Sequence, residues 1–439
     1  MTSTDLIIIG SGPGGYRAAG EAARLGIQVT VVESAEAGGT CLNRGCIPTK
    51  TWCHEAEVMS LLREKGVNAP VDFAKILDRK NQVVSQLRQG VETLLSSPGI
   101  TLVRGKARFT GAHTIAVGDE SYTAPHIIIA TGSDSKLIPV PGIDLPHVVT
   151  STELLNIDHV PARLCIVGAG VIGMEFASIF SSLGSEVTVV EFLKECLPAL
   201  DSEVAKRLRT LLSRRGVDFR MQAGVKEITP EGVVYERKGK TETVAADVVL
   251  IATGRKPCIE GLDLEAAGIA YTRGGITVDD ELQTNVEGVY AIGDVNGRIM
   301  LAHAATYQGL HVVHRLAGRT DSIRLDIVPS AIFTNPEAAG VGMTEDQCKE
   351  SGVVYTCKKG HYRANGKALA MEATDGMLKL LADGEGRLIG CHAYGAHASD
   401  MVQEVSCLMT RNATVADLAD MIHIHPTLGE ILAETAQMF

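Results

Sequence analysis

The sequence is short of cations, of aromatic residues and of long apolar runs. Lys and Arg number 41 against 52 Asp and Glu, a formal net charge of −11. That balance argues against a nucleic-acid partner, whose phosphates would be repelled. No apolar run approaches the roughly 20 residues of a membrane-spanning helix. The opening MTSTDLIIIG lacks the basic start and long apolar core of a secretory signal. These absences predict a cytoplasmic protein, without a membrane among its partners, in a compartment where thiols stay reduced. Most of the ten cysteines are scattered singly, as in Cys165, Cys258 and Cys391, and read as free buried thiols.

Glycine is abundant, at 46 of 439 residues, while aromatics make up only 4%. The length allows about three domains. The composition suits α/β domains with many tight strand–helix turns, because glycine lets the backbone turn sharply or approach a ligand.

Two stretches repeat one another: LIIIGSGPGGYRAAGEAARLGIQVTVVES from Leu6 and LCIVGAGVIGMEFASIFSSLGSEVTVVEF from Leu164. Each opens with a strand-like apolar run. A G-x-G-x-x-G follows (Gly10, Gly12, Gly15; then Gly168, Gly170, Gly173), then an Ala- or Ser-rich helical segment and a second strand ending in an acid. Glu33 and Glu191 each stand 23 positions after the first glycine. The first glycine makes the turn, the second lets backbone approach a pyrophosphate, and the third lets helix and strand pack. The helix start offers unpaired N–H groups to the anion, and the acid accepts from a ribose diol. Two such units imply two dinucleotides. At the second, Glu191 would repel a 2′-phosphate and no arginine follows closely in EFLKECLP, so NAD is expected over NADP. The segments HIIIATGS, VVLIATGR and GVYAIGDV supply further strand–turn elements, the last carrying Asp294. Residues 73–95 read as a polar surface helix.

The stretch GGTCLNRGCIPTK places Cys41 and Cys46 close together. A zinc site, a structural staple and a redox disulfide are all open at that spacing. Zinc needs four ligands; Cys53 and His54 lie near, but no second pair of suitable spacing appears. A turn through Gly45 can bring the two Cα atoms to the separation of about 5.5–6 Å that a disulfide needs. The pair follows shortly after the first VTVVE, beside the first dinucleotide. A dithiol there, with NAD at the second site, suggests a relay in which the first cofactor is FAD, since a flavin exchanges hydride with nicotinamide and electron pairs with sulfur. Lys50 would lower the pKa of a nearby thiolate. Near the end, IHIHPTLGE offers His425 as a base for a substrate thiol, oriented by Glu430, with His423 as competitor.

These residues resemble the flavoprotein disulfide reductases, the pyridine nucleotide–disulfide oxidoreductase family, and within it the dihydrolipoamide dehydrogenase branch. The likeness covers essentially the whole chain, through GSGPGGY, GGTCLNRGCIPTK, GAGVIGMEFA, ATGRKP, AIGDV, MLAHAA, IFTNPEAAGVGMTE and HPTLGE in the family's order. The resemblance implies an α/β fold of two Rossmann-like dinucleotide-binding domains plus a C-terminal α+β dimerisation (interface) domain. The expected boundaries are 1–146 for the first part of the FAD domain, 147–272 for the NAD domain, 273–322 for the second part of the FAD domain and 323–439 for the interface. It implies FAD at Gly10, Gly12, Gly14, Gly15, Glu33, Gly39, Thr40, Lys50, Ala107, Thr131, Gly132, Ser133, Asp294, Met300, Leu301, Ala302 and His303. It implies NAD at Gly168, Gly170, Val171, Ile172, Gly173, Glu175, Glu191, Val225 and Gly254. Cys46 is then the thiol facing the flavin, Cys41 the one that exchanges with substrate, and Glu175 the ion-pair partner of Lys50. His425 and Glu430 become the base and its orienting acid, supplied across a homodimer with shared active sites. No metal is implied.

The activity so implied is oxidation of protein-bound dihydrolipoamide with reduction of NAD. The implied partner is the lipoyl-bearing protein of a 2-oxoacid dehydrogenase complex or of the glycine cleavage system. Arg44, inside the redox loop, departs from the family's usual small apolar residue, and Arg17 and Gln308 are also less usual. A reductase of another disulfide or of mercuric ion is the alternative. Glu191 disfavours NADPH-linked glutathione reduction, and the last cysteine, Cys407, leaves no C-terminal pair for mercury. A non-catalytic flavin-binding subunit would not need Cys41, Cys46, Lys50, His425 and Glu430 together.

Overall fold

The computed structural model describes residues 1–439. The chain divides into two compact units. The first takes Met1–Thr51, Ala74–Lys136 and Gly254–Leu325; the second takes Trp52–Phe73, Leu137–Thr253 and Asp326–Phe439.

Each unit contains one copy of the sequence repeat, built as the centre of a five-stranded parallel sheet. In the first unit the strand order is Val289–Ala291, His126–Ile129, Leu6–Ile9, Val29–Glu33, Ile100–Arg104. In the second it is Val148–Val149, Val248–Ile251, Arg163–Val167, Glu186–Glu191, Asp218–Met221. The registers correspond: Leu6 pairs with Val29 and Ile9 with Val32, as Leu164 pairs with Val187 and Val167 with Val190. Leu6–Ile9 and Val29–Glu33 are buried along their whole length, as expected of strands covered on both faces. A small antiparallel sheet accompanies each repeat, Ala107–Gly111 to Glu120–Thr123 in the first unit and Ala223–Ala245 in the second.

Residues 254–272, expected with the NAD domain, group with the first unit. The cause is packing. Leu262, Leu264, Ala267 and Ile269 are buried in the same apolar cluster as Ile7, Ile127 and Val289, and Arg255–Pro257 pairs with Ser133–Ser135. The chain therefore rejoins the first unit at Gly254, directly after the last long strand of the second repeat.

The C-terminal segment forms an antiparallel sheet in the order Ser330–Ile332, Ala338–Gly342, Leu388–Tyr394, Met377–Asp383, Tyr355–His361. The helices Ala398–Met409 and Glu430–Ala436 bury Val402, Val405, Ile431 and Leu432 in its core. The surface helix read over residues 73–95 is present as Phe73–Leu95, and Val84, Val91 and Leu95 pin it to the first unit's core. No helix is long and apolar enough to cross a membrane.

Candidate active site

The glycines of both triplets divide the work as the spacing predicts. Gly10 has φ +103° and Gly168 φ +107°, a region that disfavours side chains. A Cβ on Gly15 would lie 1.9 Å from the Gly10 carbonyl oxygen, and one on Gly173 would lie 2.0 Å from that of Gly168. These third glycines are therefore fixed by helix–strand packing. The middle glycines, Gly12 and Gly170, face no protein atom within 4 Å of an added Cβ. They cap the helices Pro13–Arg24 and Val171–Leu183 without any side-chain hydrogen bond. Val171 and Ile172 start the second helix, and Gly14 packs against Ala305. Two helix N-termini with open, positive ends are thus available to anionic groups.

The two acids are held in matching ways. Glu33 accepts from the Ser11 backbone N–H at 2.8 Å, the Ser11 hydroxyl at 2.6 Å and the Ala35 N–H at 2.8 Å. Glu191 accepts from Ala169 N–H at 2.6 Å and Leu193 N–H at 2.7 Å. They are 7% and 9% exposed, so each carboxylate has a fixed direction beside its triplet. Val225 lies on the strand Ala223–Thr229, in the same unit as Glu191.

Cys41 lies on the short helix Gly39–Arg44, and Cys46 opens the helix Cys46–Glu64. Gly45 separates them, and the two thiols hydrogen-bond each other. That bond, together with burial and the charge of Cys46, pushes the Cys41 thiol well above its ordinary range, against the pull of the Lys50 ammonium. Lys50 follows one helical turn after Cys46, and all three residues belong to the first unit. Gly39, at φ +61°, sits so close to the first triplet that a Cβ would lie 2.6 Å from Gly12 Cα. Thr40 follows it, and Gly38 N–H donates to Ser11 O at 3.0 Å. The dithiol segment is thus fastened to the first dinucleotide cradle.

Of the other predicted residues of that unit, Thr131 to Ser133 and Asp294 meet at one turn. Ser133 donates to Asp294 Oδ2 at 2.5 Å across 161 positions of sequence. Thr131 donates to the Cys258 carbonyl at 2.7 Å, with Gly132 between at φ +72°. Met300 and Leu301 lead into the helix Ala302–Leu316, which carries His303 in its first turn and has no side-chain cap. Ala107 begins a buried strand edge. Two residues without a sequence-assigned role complete this turn. Arg255 Nε donates to Ser133 Oγ at 2.6 Å and stands 3.8 Å from Asp294. Gln308 accepts from Gly293 N–H at 2.7 Å and Asn296 Nδ2 at 3.1 Å. Arg255 was visible in ATGRKP, and Gln308 only as an unusual residue.

The remaining predicted groups, Gly254 apart, belong to the second unit. His425 Nδ1 lies 2.8 Å from Glu430 Oε1, and Glu430 Oε2 accepts from Thr427 N–H at 2.9 Å. The Thr427 bond and then the imidazole hold the Glu430 carboxyl below its usual range. The His425 side chain is 81% exposed, and it follows two bare residues, Ile424 and the fully exposed Ile422. His423, the competing base, is instead tied to Glu404 at 2.9 Å. Glu175 is buried in the second triplet's helix and accepts from Phe333 N–H at 3.0 Å. Lys50 and Glu175, expected as an ion pair, lie in different units, as do Cys41 and His425. Gly254 has φ +106° and stands at the return to the first unit.

Residues 4–309 match the family described as pyridine nucleotide-disulphide oxidoreductase, and residues 328–436 match its dimerisation domain. The chain belongs to this family. It is 38% identical to the mitochondrial dihydrolipoyl dehydrogenase of Pisum sativum, covering 98% of this chain and 90% of that one. Identity to the dihydrolipoyl dehydrogenase of Bacillus subtilis is 40%, over 99% and 96%. Among solved structures, the Cu(II) complex of the HOCl-induced flavoprotein disulfide reductase RclA from Escherichia coli superposes with a TM-score of 0.90. It is 33% identical and covers both chains completely.

As a member of the pyridine nucleotide–disulphide oxidoreductases, the chain is an enzyme whose cofactors are FAD and NAD. The residues fit two dinucleotides. Each cradle combines an uncapped helix start, a middle glycine facing open space and a pinned acid at the end of the next strand. The dithiol segment abuts the first cradle.

Proposed function

We propose that the chain is a dihydrolipoamide dehydrogenase that oxidises a lipoyl-bearing protein of a 2-oxoacid dehydrogenase complex or a glycine cleavage system. The observation that carries the reading is the thiol–thiol contact of Cys41 and Cys46 in a segment fastened to the first cradle. FAD belongs at that cradle, held by the first glycine triplet, Glu33, Lys50 and the Ser133–Asp294 turn. NAD belongs at the second, held by Gly168, Gly170, Gly173, Glu191 and Val225. The carboxylate of Glu191 favours NAD because a 2′-phosphate would meet a buried like charge.

The catalytic cycle starts with Cys41 and Cys46 as a disulfide. His425, with Glu430 fixing its tautomer through Nδ1, takes the proton of one substrate thiol at Nε2. The substrate thiolate attacks Cys41 Sγ, the Cys41–Cys46 bond breaks, and Cys46 leaves as a thiolate beside the Lys50 ammonium. The second substrate thiol attacks the substrate sulfur of the mixed disulfide and releases Cys41, whose departing sulfur takes up that thiol's proton. The substrate has then closed to a cyclic disulfide, and its electron pair rests on Cys41 and Cys46. Bound FAD supplies the passage of that pair onward to NAD as hydride. His425 and Glu430 serve the dithiol of the second subunit in a homodimer. The dimerisation-domain match supports this, as does the exposed His425, preceded by the bare Ile422 and Ile424.

The likeness to RclA favours a second reading, in which the same dithiol carries electrons from NADH outward to a different disulfide or to a metal ion. Steady-state turnover with dihydrolipoamide, glutathione disulfide, cupric ion and mercuric ion, each with NAD(H) and NADP(H), separates the two. The first reading requires dihydrolipoamide with NAD to dominate. It also requires His425→Ala to lower that turnover by about 10²–10⁴-fold; unchanged turnover would reject His425 as the base. Cys46→Ser should remove the charge-transfer absorbance of the two-electron-reduced enzyme, and its persistence would exchange the roles of the two cysteines.

A further inference from the structure

Asn43 lies between the two cysteines and makes three side-chain hydrogen bonds. Its Nδ2 donates to the carbonyls of Ala37 and Gly39, both at 2.9 Å, and its Oδ1 accepts from Arg88 Nε at 2.8 Å. Arg88 is half-buried on the helix Phe73–Leu95, 45 positions away. The neighbouring Leu42 is buried in one apolar cluster with Val84 and Val91 of that helix. The short helix carrying Cys41 is therefore held at its start by Gly38 on Ser11 and by the close approach of Gly39 to Gly12. It is held at its middle by Leu42 and by the Arg88–Asn43 bond.

From this geometry we infer that Arg88 and Asn43 are positioning residues that set the redox potential of the Cys41–Cys46 couple. The inference rests on reading that pair as the redox centre. Closing a disulfide demands a narrow range of Cα and Cβ separations. A segment already held in place meets that demand without ordering itself first, so its thiols act at a higher effective concentration. Loosening the brace penalises the disulfide more than the dithiol, because two thiols tolerate a wider range of distances.

The sign of the effect separates this role from simple electrostatics. Had Arg88 acted as a positive charge near the thiols, its removal would destabilise the thiolate and shift the couple to a more negative potential. Loss of the brace destabilises the disulfide and shifts the couple to a less negative one. Asn43 carries no charge, so its removal tests the brace alone.

The test uses the FAD-loaded protein as wild type, Arg88→Met and Asn43→Ala. Methionine keeps the apolar stem that packs along the helix. Each protein is equilibrated anaerobically in graded mixtures of reduced and oxidised dithiothreitol, quenched in acid and alkylated. The fraction of Cys41–Cys46 disulfide is then read by peptide mass. Both variants are expected to retain FAD and to show the couple shifted to less negative potential. A tenfold loss of effective concentration corresponds to about 30 mV for two electrons, and Asn43→Ala should move at least as far as Arg88→Met. Unmoved potentials in both variants, or a negative shift in Arg88→Met, would overturn the brace. If the wild type forms no Cys41–Cys46 disulfide in any mixture, the redox reading fails and takes the brace with it.

Discussion

Replacing Lys379 by methionine should cost the second unit about 3 kcal/mol of stability. Lys379 stands mid-strand in Met377–Asp383 with a side chain 1% exposed, against an Asp201 that is 0% exposed. Its ammonium lies 2.9 Å from both Asp201 oxygens, 2.7 Å from Glu345 Oε2 and 3.4 Å from Glu203 Oε2. Glu203 and Glu345 have other cations, Lys359 and Arg207 for the first and Lys349 for the second. Asp201 has none. Removing one partner of a buried pair costs about 3–5 kcal/mol, because the other charge is left uncompensated. Asp201 keeps the N–H groups of Glu203, Val204 and Glu345 at 3.2–3.3 Å, which places the expectation at the low end of that range. The double variant Lys379→Met with Asp201→Asn removes both charges and should recover part of the loss.

Urea unfolding followed by tryptophan fluorescence reads this directly. Trp52 is the chain's single tryptophan, is buried in the same unit, and packs edge-on to Phe73 at 5.3 Å and Phe180 at 6.0 Å. The pH dependence supplies a second check. The hydrogen bond to Lys379 is the largest cause holding Glu345 down to about 2 from an ordinary 4.5. A depressed carboxylate contributes stability that is present above the unfolded value and lost as pH falls through the folded one. Wild type should therefore lose stability between about pH 4.5 and 2, and Lys379→Met should lose less over that window. A single variant within about 1 kcal/mol of wild type, with an unchanged acid slope, would refute the uncompensated-charge reasoning.

Four further outcomes follow from the cradles and the base. Gly15→Ala should fail to build the first cradle, since its Cβ would overlap the Gly10 carbonyl. Gly12→Ala should fold but lose FAD affinity by about tenfold or more, because its Cβ fills only ligand space; flavin absorbance and far-ultraviolet circular dichroism separate the two, and undiminished FAD binding by Gly12→Ala would reject the cradle. Glu191→Ala should weaken NADH binding by about tenfold to a hundredfold, the loss of charge-assisted ribose bonds. It should narrow the preference over NADPH, measured by equilibrium titration, and an unaltered preference would place selectivity elsewhere. Glu430→Gln should slow oxidation of dihydrolipoamide by at least about tenfold while leaving flavin reduction by NADH unchanged; equal slowing of both half-reactions would indicate damage beyond the base.

The parts of the site legible in the sequence are those whose partners lie within one repeat or one turn. The triplets, the acids at strand ends and the cysteine spacing are each set by local backbone geometry. His425 and Glu430 are five positions apart and could be paired by inspection. What escaped the reading is long-range. Ser133 meets Asp294 across 161 positions, and Lys379 meets Asp201 across 178. Arg88 looked like one more polar residue of a surface helix, and nothing near it in sequence marks Asn43 as its partner. The return of the chain to the first unit at Gly254 is hidden in the sequence for a related reason. The apolar residues 262–269 carry no label saying which of two similar cores they enter.

The two repeats also hold their acids in a way that suits the discrimination proposed for Glu191. A carboxylate free to rotate could turn away from a 2′-phosphate and let solvent screen it. Glu33 and Glu191 cannot, since one oxygen of each is held by the N–H after the first glycine and the other by the N–H two residues beyond the acid. Each carboxylate still has unused lone pairs, so a ribose diol adds hydrogen bonds without displacing those that fix it. Selectivity then depends on rigidity as much as on charge. On the proposed reading, the backbone N–H groups of the phosphate-binding loop also aim the acid at the sugar, so that pyrophosphate and ribose would be recognised by one turn of chain, used twice. Only the first copy receives a dithiol. The difference lies outside the repeat, in Gly39, whose missing side chain lets the cysteine segment lie against Gly12, and in Gly38, where a Cβ would meet Leu42.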